Sequence, residues 1–114
     1  MDFDTYQKLA HVTANYAVPT LNGLPLTWDY PVHGLAGEAG EVAERFKRII
    51  RERGGKITTE DKEKIQLELS DVLWYISEIA TVIGLSLDTI ATSNIKKLSI
   101  RAKENKIHGE GSER

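Results

Sequence analysis

Apolar residues recur at helical spacing in four stretches of the chain, separated by polar breaks. In the first, Tyr6, Leu9, Ala10 and Thr13 mark one face of a helix from about Asp4 to Tyr16, capped by Asp2 or Asp4. Pro19 and the run Asn22-Gly23-Leu24-Pro25 interrupt the pattern and predict a loop that continues through Trp28-Asp29-Tyr30-Pro31. A second helix is predicted from about His33 to Arg53, where Gly54-Gly55 stops it. A third starts after a Thr58-Thr59 cap, with Glu60 and Asp61 suited to the positive end of its dipole, and runs to about Ile83 before Gly84. Ser86 and Asp88 open a fourth that reaches about Glu104. Asn105 to Arg114, with two glycines and alternating charge, reads as a frayed tail. No stretch competes with a strand period, so the expected fold is all-α, a four-helix bundle in one domain over residues 1–114.

The second and third helices share one pattern. With Leu35 aligned to Ile65, apolar residues follow at Ala39, Val42, Ala43, Phe46, Ile49 and Ile50, and at Leu69, Val72, Leu73, Ile76, Ile79 and Ala80. Acids coincide as well, Glu38 with Glu68 and Glu41 with Asp71. At about 100° per residue the first acid of each pair lies roughly 80–90° from the centre of the apolar stripe, and the second roughly 140–150°. Each pair therefore starts at the core margin and turns outward, and two such helices packed antiparallel can set the pairs across one groove. Leu67 and Trp74 stand on the side of the third helix opposite its main stripe. A helix apolar on two sides calls for burial on two sides, which in a short chain means either a second copy, hence a homo-oligomer, or Trp74 packed under the aromatic loop.

Composition narrows the chemistry. The 114 residues suffice for one modest core. A formal net charge of −2 gives no footprint for nucleic acid or an anionic membrane. With no cysteine there is no disulfide framework, zinc ribbon or thiolate nucleophile. The acidic start, Met1-Asp2-Phe3-Asp4, has no basic stretch leading into an apolar run, and no segment approaches the length of a membrane span. The expectation is a soluble, cytoplasmic protein with no nucleic-acid or membrane partner.

Acids at i and i+3 sit side by side on a helix, and one such pair is more often solvated than functional. Two pairs in matching apolar phase are a stronger signal, because like charges held together destabilise a fold and a cation relieves them. Oxygen-only ligands select hard ions, Mg²⁺ or Mn²⁺ ahead of zinc or copper. A di-iron bundle would add His in a Glu-x-x-His pattern, whereas His11, His33 and His108 stand elsewhere. Mg²⁺ held by carboxylates keeps positions for water and substrate phosphates, and paired ions suit in-line displacement at phosphorus. Asn94, Lys97 and Arg101 fall on one side of the fourth helix and could meet a polyphosphate. Arg45 could do the same, or form an i,i+4 ion pair with Glu41. Trp28 and Tyr30 pack either on the core or as a wall of a ligand pocket, with Gln7 as a further candidate for that wall.

The arrangement Glu38-x-x-Glu41, 26 intervening residues, then Glu68-x-x-Asp71 resembles the signature of the MazG-type all-α nucleoside triphosphate pyrophosphohydrolases. The surrounding words are similar too: Gly34-Leu35-Ala36-Gly37-Glu38-Ala39-Gly40-Glu41-Val42 and Glu68-Leu69-Ser70-Asp71-Val72-Leu73-Trp74-Tyr75, followed by Asn94-Ile95-Lys96-Lys97-Leu98 with Arg101. The tail from His108 is similar to a glycine-rich ending in a small single-domain branch. Ser70 stands where Gly is often found, and Ser112-Glu113 where an Asp is expected. The resemblance implies Mg²⁺-dependent hydrolysis of a ribo- or deoxynucleoside triphosphate between the α and β phosphates, releasing monophosphate and pyrophosphate, as a house-cleaning activity on the nucleotide pool. It implies Glu38, Glu41, Glu68 and Asp71 as metal ligands and catalytic acids. It implies Asn94, Lys97 and Arg101 as phosphate or sugar contacts, and a dimer or tetramer. Trp28 is the aromatic assigned to the substrate. The rival readings are a related all-α hydrolase of another nucleotide, and a non-catalytic helical oligomer that binds metal or nucleotide.

Overall fold

The computed structural model describes residues 1–104 and consists of four helices and one short hairpin. Helix α1, Phe3–Val12, is capped by Asp2, whose carboxylate accepts from the Thr5 N–H at 2.7 Å. It stops short of Tyr16. Thr13 turns its hydroxyl back on the Ala10 carbonyl at 2.6 Å, and the following residues leave the helix so that Tyr16 reaches a partner on a distant helix. Strands β1, Thr20–Leu21, and β2, Leu24–Pro25, pair antiparallel around Asn22 and Gly23. Both turn residues have positive φ, 52° and 80°, the backbone that favours Asn-Gly in a two-residue hairpin.

Helix α2, Asp29–Arg53, begins ahead of the expected His33. Pro31 does not break it, because a first-turn N–H has no intrahelical partner to lose. Gly54, at φ 63°, closes the helix in a left-handed cap. Helix α3, Thr59–Val82, opens with a capping box in which the Thr58 N–H donates to Asp61 and the Asp61 N–H donates back to Thr58. Arg53, at the end of α2, also donates to Asp61, so one carboxylate fastens the α2–α3 turn. Helix α4, Leu87–Lys103, is capped by Ser86 and meets α3 at 105°. Gln7 clamps that corner: it donates to Thr81 Oγ1 and the Leu85 carbonyl, and accepts from the Leu87 N–H at 2.8 Å. The candidate pocket residue Gln7 is thus a structural clamp. The expected tail, including His108 and Ser112-Glu113, lies outside the described residues.

Helices α2 and α3 form an antiparallel pair: Tyr30 meets Tyr75, Arg45 meets Glu68 and Arg53 meets Asp61, partners falling on α3 as they rise on α2. Helix α1 crosses α3 and α4. The buried apolar set is small: Ala10, Ile49, Ile65, Ala80 and Leu87. Leu67 stays 68% exposed, and Phe46, Ile50, Leu69, Ile95 and Ile100 are also open to solvent. The radius of gyration is 17.3 Å, against roughly 13 Å for a compact domain of this length. Among the described residues no single helix is long and apolar enough to cross a membrane.

One glycine sets how closely α2 approaches α3. A Cβ on Gly34 would lie 2.1 Å from Tyr75 Cε1, inside the ring's contact distance. Helix propensity alone favours Ala by about 1 kcal/mol, but overpacking costs about 1–3 kcal/mol. Gly34→Ala is therefore expected to lower the urea midpoint, and a raised midpoint would show that α2 and Tyr75 do not touch.

Candidate active site

The α2–α3 pair carries three zones along one groove. At one end, Tyr30 from α2 stacks on Tyr16 with ring centroids 4.8 Å apart and planes 13° off parallel. Tyr75 of α3 lies 5.9 Å from Tyr30, its hydroxyl 3.3 Å from the Tyr30 hydroxyl. Trp74 meets the Tyr75 edge at 5.1 Å and donates its indole N–H to Thr13 Oγ1 at 2.8 Å and the Ala10 carbonyl at 3.2 Å. Glu78 locks this wall. Only 2% exposed, it accepts from the Tyr16 hydroxyl at 2.6 Å and lies 2.9 Å from His11 Nδ1. Burial first, and then the bond to Glu78, push the Tyr16 hydroxyl well above its ordinary pKa. The aromatic rings bound a cavity of about 380 Å³ whose remaining wall includes Asn15, Glu38 and Asp71.

The acids occupy the middle zone. Glu38 is half-buried and its carboxyl is pushed above the ordinary range, by desolvation first and then by Asp71, Glu41 and Glu68. The four acids named from the sequence therefore share one electrostatic neighbourhood. They do not share one ligand geometry: among the described residues no three acidic or histidine side chains converge as a group able to hold a metal ion. Glu68 is instead taken by Arg45, which donates Nε to Oε2 at 2.9 Å and Nη2 to Oε1 at 3.0 Å. The donor set suits a hard divalent cation, oxygen throughout and anionic, but Glu68 is occupied. The third zone, beyond Arg45, is a polar cavity of about 270 Å³ where Arg48, Arg53 and Lys64 stand among Glu52, Glu60 and Asp61.

The structure places the other residues singled out from the sequence. Arg45 pairs across the helices with Glu68 and not along its own helix with Glu41, because antiparallel register puts Glu68 within reach of both guanidinium nitrogens. Trp74 is half-buried: it donates its indole N–H to Ala10 of α1 and to Thr13 just past the helix end, and its ring also lines the aromatic cavity. Trp28 is 43% exposed and does not line the aromatic cavity; Tyr30, two residues on, does. Asn94, Lys97 and Arg101 lie on α4, which packs on α1, and none of them lines that cavity either. Arg101 Nη1 is buried with no hydrogen-bond partner among the described residues. Tyr16, Tyr75 and Glu78 are the site residues that sequence reasoning passed over. The usable signal was on α3, where Glu68, Asp71, Tyr75 and Glu78 recur at spacings of three and four on one side.

The shift at Glu38 has a sign that can be measured. Its folded pKa exceeds the ordinary 4.5, so between the two values the folded chain binds more protons and stability falls as pH rises. Asp61 works the other way. Held below 3.8, first by its hydrogen bond from the Thr58 backbone, it contributes stability above 3.8 that is lost as pH falls through its folded value. With chelator present, the melting temperature should rise as pH is lowered from neutral through the raised Glu38 value, then fall in stronger acid. Glu38→Gln should flatten the first slope and leave the second.

Comparison with known proteins adds family evidence. The family model described as the MazG nucleotide pyrophosphohydrolase domain matches residues 29–105, which takes in α2, α3 and α4. The "Gene 37 protein" of Mycobacterium phage L5 is 37% identical over 118 aligned residues, covering 100% of both chains. No solved structure matches at a significant level.

Proposed function

The chain belongs to the MazG nucleotide pyrophosphohydrolase family, and from that membership and the α2–α3 groove we propose that it hydrolyses a nucleoside triphosphate, ribo or deoxy, between the α and β phosphates. The products are the monophosphate and pyrophosphate. One observation carries the reading most directly: the cavity walled by Tyr16, Tyr30, Trp74 and Tyr75 also has Glu38 and Asp71 in its lining. A base seated in this cavity against the aromatic rings would deliver its phosphates to the paired acids on the same wall. Stacking of a base on an aromatic side chain is worth about 1–3 kcal/mol, enough to orient the substrate without selecting among bases.

Glu38, Glu41, Glu68 and Asp71 are the residues that would hold Mg²⁺, or Mn²⁺ in its place. The ion would supply charge neutralisation for phosphates that four carboxylates would otherwise repel. The desolvated, like-charged surroundings of Glu38 support this, since they leave a standing demand for a counter-charge. Open apolar faces on α2, α3 and α4 support a homo-oligomer, dimer or tetramer. Asn94, Lys97 and Arg101 are assigned no step within a single chain. A pyrophosphate assay over the common ribo- and deoxynucleoside triphosphates, with Mg²⁺ and with chelator, tests the proposal. Metal-dependent pyrophosphate with monophosphate supports it, and release of single phosphate or of nothing overturns it. The occupied state of Glu68 favours a second reading, a non-catalytic nucleotide binder, which would show nucleotide affinity and no pyrophosphate with any ion.

A further inference from the structure

Arg45 sits one turn past Glu41 on α2, yet its guanidinium spends both of its forward-facing donors on Glu68. Both side chains are about one-fifth exposed, 22% and 19%, so water screens the pair less than it would at the open surface. A bidentate guanidinium–carboxylate fork is the strong form of this interaction. Each Glu68 oxygen accepts one of the two bonds, and Arg45 itself lines the polar cavity. The neighbouring cations have partners of their own: Lys64 with Glu60, Arg53 with Asp61, Arg48 with Glu44. Arg45 is the one whose partner belongs to the acid set.

We propose that Arg45 is a built-in counter-cation for Glu68, a latch that a divalent cation must displace before that carboxylate can become a ligand. Displaced, the guanidinium lies at the mouth of the polar cavity, where the phosphate chain of a substrate seated in the aromatic cavity would run. With Glu68 engaged as a ligand, Arg45 would be free to pair with phosphate, so metal and nucleotide would load cooperatively. The inference rests on the reading of Glu68 as a metal ligand and adds how that ligand is gated.

The test is Mn²⁺ titration of the whole chain, followed by the EPR signal of free Mn²⁺, with nucleotide affinity measured separately in Ca²⁺. Arg45→Gln should bind Mn²⁺ roughly tenfold more tightly, since it removes a charge-assisted hydrogen-bonded pair, while its nucleotide affinity falls. Opposite signs set this apart from a structural defect, which would weaken both. Arg45→Lys, a point charge without the fork, should tighten Mn²⁺ less, and it carries the test if the glutamine variant does not fold. Arg48→Gln removes the same charge one turn nearby and should move Mn²⁺ affinity by less than about twofold. An Arg45→Gln affinity that is unchanged or weaker overturns the latch, as does an equal gain in Arg48→Gln, which would make the effect long-range charge alone. Glu68→Gln separates this from the underlying reading: if it leaves Mn²⁺ affinity intact, Glu68 is not a ligand and the functional assignment fails first.

Discussion

Glu38→Gln is expected to abolish most pyrophosphate release while making the metal-free protein more stable. The two effects have one cause. Glu38 is half-buried beside three other carboxylates, and its raised pKa shows that the folded chain resists its charge. An amide of nearly the same shape removes that repulsion and keeps the helix register, so the melting temperature in chelator should rise at neutral pH. The same substitution removes an anionic oxygen from the proposed metal site. Loss of an outer partner of a metal ligand costs about 10–100-fold, which sets a floor for a ligand itself, and kcat/KM should fall by more than roughly a hundredfold. Asp71→Asn should behave alike, because Asp71 is the first of the neighbouring charges acting on Glu38 and shares its cavity wall. Stability gained where activity is lost is the signature of a site whose repulsion is retained for function. A Glu38→Gln protein that is less stable without metal, or that turns over normally, would place Glu38 outside the chemistry.

Much of this was legible along the chain, because the signals are local. Caps at Asp2, Thr58 and Ser86 and stops at Gly54 and Gly84 act within a turn of the residues that carry them. The shared apolar phase of α2 and α3 also put Glu38 and Asp71 toward one groove, since helical phase survives any packing. Errors of boundary came where a residue has two local meanings: Pro31 can break a helix or open one, and Asn22-Gly23 is a loop until flanking residues pair. What could not be read was register between helices. Arg45 faces Glu41 at i,i+4 and Glu68 across the groove, and only the antiparallel offset chooses. Trp74 could face a second copy or pack within the chain, because nothing local shows that Ala10 and Thr13 will accept from its indole. Tyr16 and Glu78, 62 positions apart, carry no local signal at all.

Glu78 is where the second large effect is expected, and it falls on stability first. A carboxylate that is 2% exposed survives in the interior only with its oxygens occupied, and here Tyr16 takes one and His11 the other. Glu78→Ala leaves a phenol and an imidazole nitrogen without that partner next to a void, so unfolding free energy should drop by about 2–4 kcal/mol. Glu78→Gln keeps an acceptor for the Tyr16 hydroxyl and should recover most of the loss. The local consequence can be read optically. Tyr16 resists ionisation first through burial and then through Glu78; with the acid gone, its ionisation in the alkaline absorbance titration should move to lower pH while burial still holds it above the ordinary tyrosine range. Function should follow the wall and not the acids. Tyr16 released from Glu78 no longer stacks firmly on Tyr30, so the cavity loses one wall and the nucleotide KM rises. Glu38 and Asp71 keep their own helices and neighbours, so kcat should change little at saturating nucleotide. A Glu78→Ala variant whose kcat collapses while KM holds would mean that Glu78 serves the reacting groups, and the division of the groove into a binding cavity and an acidic centre would have to be redrawn.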